Sequence, residues 1–122
     1  MKTSHKGNSY RTERVASLIK RCVAVIIETE LSDPRIHGVS VVDAEVSRDL
    51  KFATVYVYID GDDESVLAAL ASSSGFIRKR FAEQNKDMRV VPNFKFAIDK
   101  SQSYYEHIDA VIKGLHNDEN NG

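Results

Sequence analysis

The side chains through which this 122-residue chain could do metal or nucleophilic chemistry are few. His5, His37, His107 and His116 are scattered, and no two have the i, i+4 spacing that puts two imidazoles on one zinc ion. Cys22 is the single cysteine and sits amid Ile19, Val23 and Ile26, a setting for a small core residue rather than an exposed, electropositive nucleophile. The acids Asp62, Asp63 and Glu64 occupy a turn and helix start, where negative charge favours the helix dipole. Asp43 and Glu45 alternate along a strand, and no third group converges on either set. Gly61 and Gly75 are isolated and belong to no phosphate-cradling loop. No catalytic residue, metal or cofactor is therefore expected.

The segment richest in binding chemistry is Ser72-Ser73-Ser74-Gly75-Phe76-Ile77-Arg78-Lys79-Arg80. Helix propensity falls across the serines and glycine, so one helix is expected to end there and another to begin with free N–H groups aimed at an anion. Three basic residues follow one turn on. Either nucleic-acid backbone crosses this break, or the segment is a helix kink with a solvated basic turn; the residues alone favour neither.

The elements that must position these groups follow from periodicity. Val15, Leu18, Ile19, Cys22, Val23 and Ile26 keep the 3–4 rhythm of an amphipathic helix from about Ser9, stopped by Asp33-Pro34 near Leu31, with Arg14, Ser17 and Arg21 on another face. Two strand-like runs, 39–46 and 51–59, flank the turn Ser47-Arg48-Asp49-Leu50 and predict an antiparallel hairpin. In the second run Ala53, Val55, Val57 and Ile59 face one way, and Phe52, Thr54, Tyr56 and Tyr58 the other. After the N-capping turn at 60–63 come the two helices about Ser72–Gly75, the second with Phe76, Ile77, Arg80, Phe81 and Gln84 along one side. A third strand alternates Phe94, Phe96 and Ile98, and the capping box Ser103-x-x-Glu106 opens a last short helix. The predicted order is α-β-β-α-α-β with one helix appended, an α+β chain.

Length fits one domain, here residues 9–116 between a flexible tail at 1–8 and a disordered tail at 117–122. No apolar run approaches a bilayer span, no apolar segment follows the charged N-terminus, and one cysteine suits a reducing compartment, so a cytoplasmic location is expected. The net charge of −1 conceals segregation. Residues 1–21 carry Lys2, Lys6, Arg11, Arg14, Lys20 and Arg21 against Glu13, a net +5, and residues 75–89 are net +3. Such a chain can show phosphate a basic face while remaining soluble.

The α-β-β-α-α-β order is that of the type II KH fold, whose usual GxxG loop between consecutive helices is replaced here by Ser73-Ser74-Gly75. The chain resembles the ribosome-binding factor A family, KH-like proteins with an Ala-x-Gly kink at that point. The resemblance is carried by Arg11-Thr12-Glu13-Arg14-Val15-Ala16, by Leu31-Ser32-Asp33-Pro34-Arg35, by 46–57, by Ser74-Gly75-Phe76-Ile77-Arg78, and by 89–96 with Asp99 and Ser101. Ser73 replaces the family's alanine. The resemblance implies a non-enzymatic factor that binds the free or immature small ribosomal subunit and its rRNA. It also implies support for late assembly, 5′-end processing and cold adaptation, with release aided in some bacteria by a GTPase. Arg11, Arg14, Lys20 and Arg21 are expected to meet phosphate along the first helix; Ser73, Ser74 and Gly75 to shape the kink; Arg78, Lys79 and Arg80 to flank it. A monomer with no membrane contact is expected. The competing reading is a protein-interaction module that docks through the basic helix or a sheet edge without touching RNA.

Overall fold

A computed structural model describes residues 10–99. Its elements are α1 (Tyr10–Glu30), β1 (Val39–Val46), β2 (Phe52–Ile59), α2 (Asp63–Gln84) and β3 (Asn93–Ile98). The expected last helix and both expected tails lie outside the described residues. In α1, Thr12, Ala16, Ile19, Val23, Ile26 and Ile27 are buried, a single stripe at helical spacing. Asp33 organises the exit from α1. Its carboxylate accepts the Arg35 backbone N–H at 2.9 Å and the Arg35 guanidinium at 3.1 and 2.8 Å. Those guanidinium bonds first, and the N–H next, hold its carboxyl below its ordinary value of 3.8.

The predicted hairpin forms. β1 and β2 pair antiparallel from Val39↔Ile59 to Val46↔Ala53, with a register shift between Val41 and Asp43. Its turn closes through side chains. The Ser47 hydroxyl donates to Asp49 at 2.7 Å and accepts the Phe52 N–H at 3.0 Å, while Asp49 also accepts the Lys51 N–H at 3.0 Å. These bonds, Ser47 foremost, depress the Asp49 carboxyl from its ordinary 3.8. They also hold Leu50 at φ 63°, a left-handed conformation uncommon for a branched residue, with its side chain buried. At the hairpin's other end Gly38, at φ +67°, accepts the Asp60 N–H at 2.8 Å. A Cβ on Gly38 would lie 2.8 Å from the Asp60 carbonyl oxygen, so both backbone conformation and space require glycine.

β3 joins β2 in parallel, giving the sheet order β1-β2-β3. Parallel strands cannot be joined by a hairpin, and α2 supplies the crossover. Here the structure corrects the sequence reading: the two helices expected around Ser72–Gly75 are one unbroken helix of 22 residues, so the described order is α-β-β-α-β. Asp62 caps it, accepting the Ser65 N–H at 3.3 Å. The physical reason is burial. Val66 and Leu70 precede the serines, Ile77 and Phe81 follow them, and the spacings of four, seven and four keep all four on one face only if the helix continues in phase. Burying four apolar side chains is worth roughly 1.5–3 kcal/mol each, which exceeds the roughly 1 kcal/mol penalty of a helical glycine. Phe76, predicted to share that face, is instead 43% exposed.

The core lies between the sheet's buried face and the two helices. Ile19, Val23 and Ile26 of α1, Val55 and Val57 of β2, and Leu70, Ile77 and Phe81 of α2 are fully buried. Phe81 meets Phe94 of β3 edge to face at 5.5 Å.

Gly38→Ala is expected to lower stability by about 1–3 kcal/mol, read as a lower urea midpoint with an unchanged slope. Glu30, Asp33 and Asp49 have carboxyls held below ordinary values of 4.5, 3.8 and 3.8. Their contribution is complete above that range and is lost as pH falls through the lowered folded values. Urea midpoints should therefore decline below about pH 4, and the double substitution Asp33→Asn, Asp49→Asn should flatten that decline.

Candidate nucleic-acid interface

Two surfaces gather the residues singled out in the sequence. The first is on α1. Arg14 and Arg21 are seven residues apart and share a stripe opposite the buried one, with Arg11 beside them. These three exposed arginines line a groove of about 600 Å³ whose apolar wall includes Val15, Leu18 and Met88. Lys20 is exposed, but it is turned roughly 100° around the helix from Arg21 and does not line this groove. Tyr10 opens the helix at 75% exposure, and the Arg14 guanidinium lies over its ring at 5.6 Å from the centroid. That aromatic escaped the sequence reading because it stands outside the apolar stripe; an unburied tyrosine one turn before an arginine was the available signal.

The second surface is the middle of α2. Ser72 and Gly75 are exposed, and Ser73 and Ser74 partly so. The Ser74 hydroxyl donates back to the Ala71 carbonyl at 2.9 Å, so it is engaged within its own helix. Ser73 and Phe76 line a shallow hollow of about 280 Å³ together with Glu30, Leu31, Ser32 and Asp33 at the exit from α1. The two most distinctive stretches of sequence, the Asp33-Pro34 stop and the serine-glycine segment, thus meet in space.

The basic run that follows does not act as a unit. Arg78 reaches β3's approach, donating from Nε to the Pro92 carbonyl at 3.1 Å and from Nη2 to that of Val91 at 2.9 Å. Arg80 grips Glu30 with two nitrogens, Nε on Oε1 and Nη2 on Oε2, and donates from Nη1 to Glu83 at 2.6 Å. The Glu30 bond is the main cause that lowers the Glu30 carboxyl and raises Arg80. Glu83, at i+3 from Arg80, was legible in the sequence; Glu30, fifty residues away, was not. Lys79 is exposed and takes no partner among the described residues.

Cys22 is partly buried against the core, with the Asn85 amide 3.8 Å from its sulfur. Among the described residues no three potential metal ligands cluster, and no helix is long and apolar enough to cross a membrane. Tyr56 packs on the sheet, its hydroxyl donating to Glu45 at 2.8 Å; burial first and that carboxylate next push it up to about 12.

The family model for ribosome-binding factor A matches residues 11–112. The chain belongs to the ribosome-binding factor A family. A ribosome-binding factor A from Finegoldia magna is 40% identical over 119 residues, covering 93% of this chain and 98% of its own. That from Chloroflexus aggregans is 41% identical over 108 residues, 86% of this chain and 85% of its own. Among solved structures, the crystal structure of ribosome-binding factor A from Thermus thermophilus aligns with a TM-score of 0.69 at 26% identity, over 75% of this chain and all of that one. A Thermus thermophilus homology model fitted into the cryo-EM map of a 30S–RbfA complex aligns with a TM-score of 0.61 at 27% identity, over 70% of this chain and 92% of that one. The α+β, KH-like architecture of the ribosome-binding factor A family is therefore that of this chain.

Removing Arg80 should act on the fold, and removing Lys79 on binding. Arg80→Ala is expected to lower the urea midpoint and leave the salt dependence of RNA binding unchanged. Lys79→Ala should leave the midpoint unchanged and reduce the slope of log K against log salt by roughly 0.7–0.9 if Lys79 neutralises one phosphate.

Proposed function

We propose that this chain is a non-catalytic maturation factor that binds the free or immature small ribosomal subunit through its rRNA, assisting late assembly and 5′-end processing. The observation that carries the reading is the family match over residues 11–112, joined to a relative placed in a 30S complex. Geometry supplies the means: Arg11, Arg14 and Arg21 line one groove, and the small-residue surface of α2 stands open with Lys79 one turn on. In this reading those four cations contact phosphate, Lys20 flanks them, and Arg78 and Arg80 position α2. Binding is by a cytoplasmic monomer, and a ribosome-associated GTPase promotes release.

The α2 surface provides a test that separates fold from function. A Cβ on Gly75 would meet nothing within 4 Å, and Gly75 has no left-handed backbone angle. The fold does not require glycine there, and alanine is favoured in a helix interior by roughly 1 kcal/mol. A glycine that neither space nor backbone angle requires suits a face on which RNA backbone approaches closely. Gly75→Ala is therefore expected to raise thermal stability while weakening co-sedimentation with free small subunits at moderate salt. Undiminished co-sedimentation would remove the α2 face from the interface. Loss of binding after nuclease treatment of the subunits is expected as well; persistence would favour a protein partner.

A further inference from the structure

We propose that the Tyr10–Arg14 pair at the head of α1 is a subsite for one unpaired nucleobase, held by stacking on the tyrosine while Arg11 meets a flanking phosphate and Arg21 the backbone farther along the groove. The inference rests on the rRNA-binding reading above and sharpens it, from attraction to a charged surface to capture of a single-stranded nucleotide.

Three observations converge. Tyr10 is 75% exposed although it belongs to an ordered helix, so its ring contributes little to the core. A guanidinium already lies over that ring at 5.6 Å, which orients the aromatic plane and adds a second flat, cationic surface on which a base can stack. The ring also stands in the groove that Arg11, Arg14 and Arg21 line over about three helical turns, so the stacking surface and the charges that can track a short stretch of backbone share one groove. Single-stranded nucleic acid is recognised by this combination of an aromatic plane with basic groups that track the backbone. Duplex RNA offers no exposed base face to such a plane.

The test uses the full chain and a fluorescein-labelled, unpaired RNA pentamer, followed by anisotropy across a salt series. Tyr10→Ala should weaken pentamer binding roughly five- to a hundredfold, the range expected for loss of one stacked base. It should leave the salt slope unchanged, because stacking releases no counterions. Tyr10→Phe should retain binding, since the ring rather than the hydroxyl is used, and Arg11→Ala should reduce the slope by roughly 0.7. Equal affinity of Tyr10→Ala and wild type, or no measurable pentamer binding by a wild type that still co-sediments with small subunits, would overturn the subsite alone. Failure of the wild type to co-sediment would overturn the reading beneath it. Thermal melting of each variant separates loss of stacking from loss of fold.

Discussion

The parallel pairing of β3 with β2 dictates how everything else in the molecule is laid out. β2 is the central strand, antiparallel to β1 on one side and parallel to β3 on the other. A chain that leaves the end of β2 must travel back along the strand before it can pair in parallel, a return of about 27 Å for eight residues. An α-helix of 22 residues is about 33 Å long and covers that return in one piece. The crossover thereby lays α2 over the sheet, where Phe81 meets Phe94 and Leu70 and Ile77 join the stripe of α1. It also carries residues 72–75 past the exit from α1, which creates the hollow lined by Ser73, Phe76 and Asp33.

Charge on this molecule divides between fastening and display. Arg78 and Arg80 look, as letters, like a basic run made for phosphate. In space they tie α2 to the approach of β3 and to the end of α1, and Lys79 between them is left exposed. Such ties suit arginine, whose planar fork donates several hydrogen bonds from one rigid group to carbonyls and carboxylates. Their worth to stability is modest, because the groups are partly solvated; their geometric effect is to fix where α2 lies relative to α1. The arginines of α1 have no such work and face the groove beside Met88. A scaffold displaying a few cations beside an exposed aromatic ring is suited to binding RNA.

Much of the fold was legible in the sequence because the relevant physics is local. The stripe of α1 is a matter of helical period, the alternation in 52–59 of strand period, and the Ser47–Asp49 turn of short side chains that bond their own backbone. Asp62 at the N-cap and Asp33 at the helix exit follow from the same kind of contact. The basic residues of α1 and the distinctiveness of 72–75 were legible as well, and the family resemblance they carry holds over residues 11–112.

Packing settled what local propensity could not. The serines and glycine at 72–75 are poor helix formers, yet the burial of Val66, Leu70, Ile77 and Phe81 on one continuous face outweighs them and keeps α2 whole. The role of Arg80 was set by Glu30, a partner fifty residues distant that no window along the chain brings near. Phe76 was turned outward by the phase that its buried neighbours impose. Which of the basic residues stand together was likewise a product of packing: Arg11, Arg14 and Arg21 converge on one groove, Lys20 does not, and Tyr10 joins them. The helices, strands and turns and the charges they carry could be read from the letters, since each depends on neighbours in the chain. Which of those charges remain available to a partner was settled by the folded arrangement, because that depends on neighbours in space.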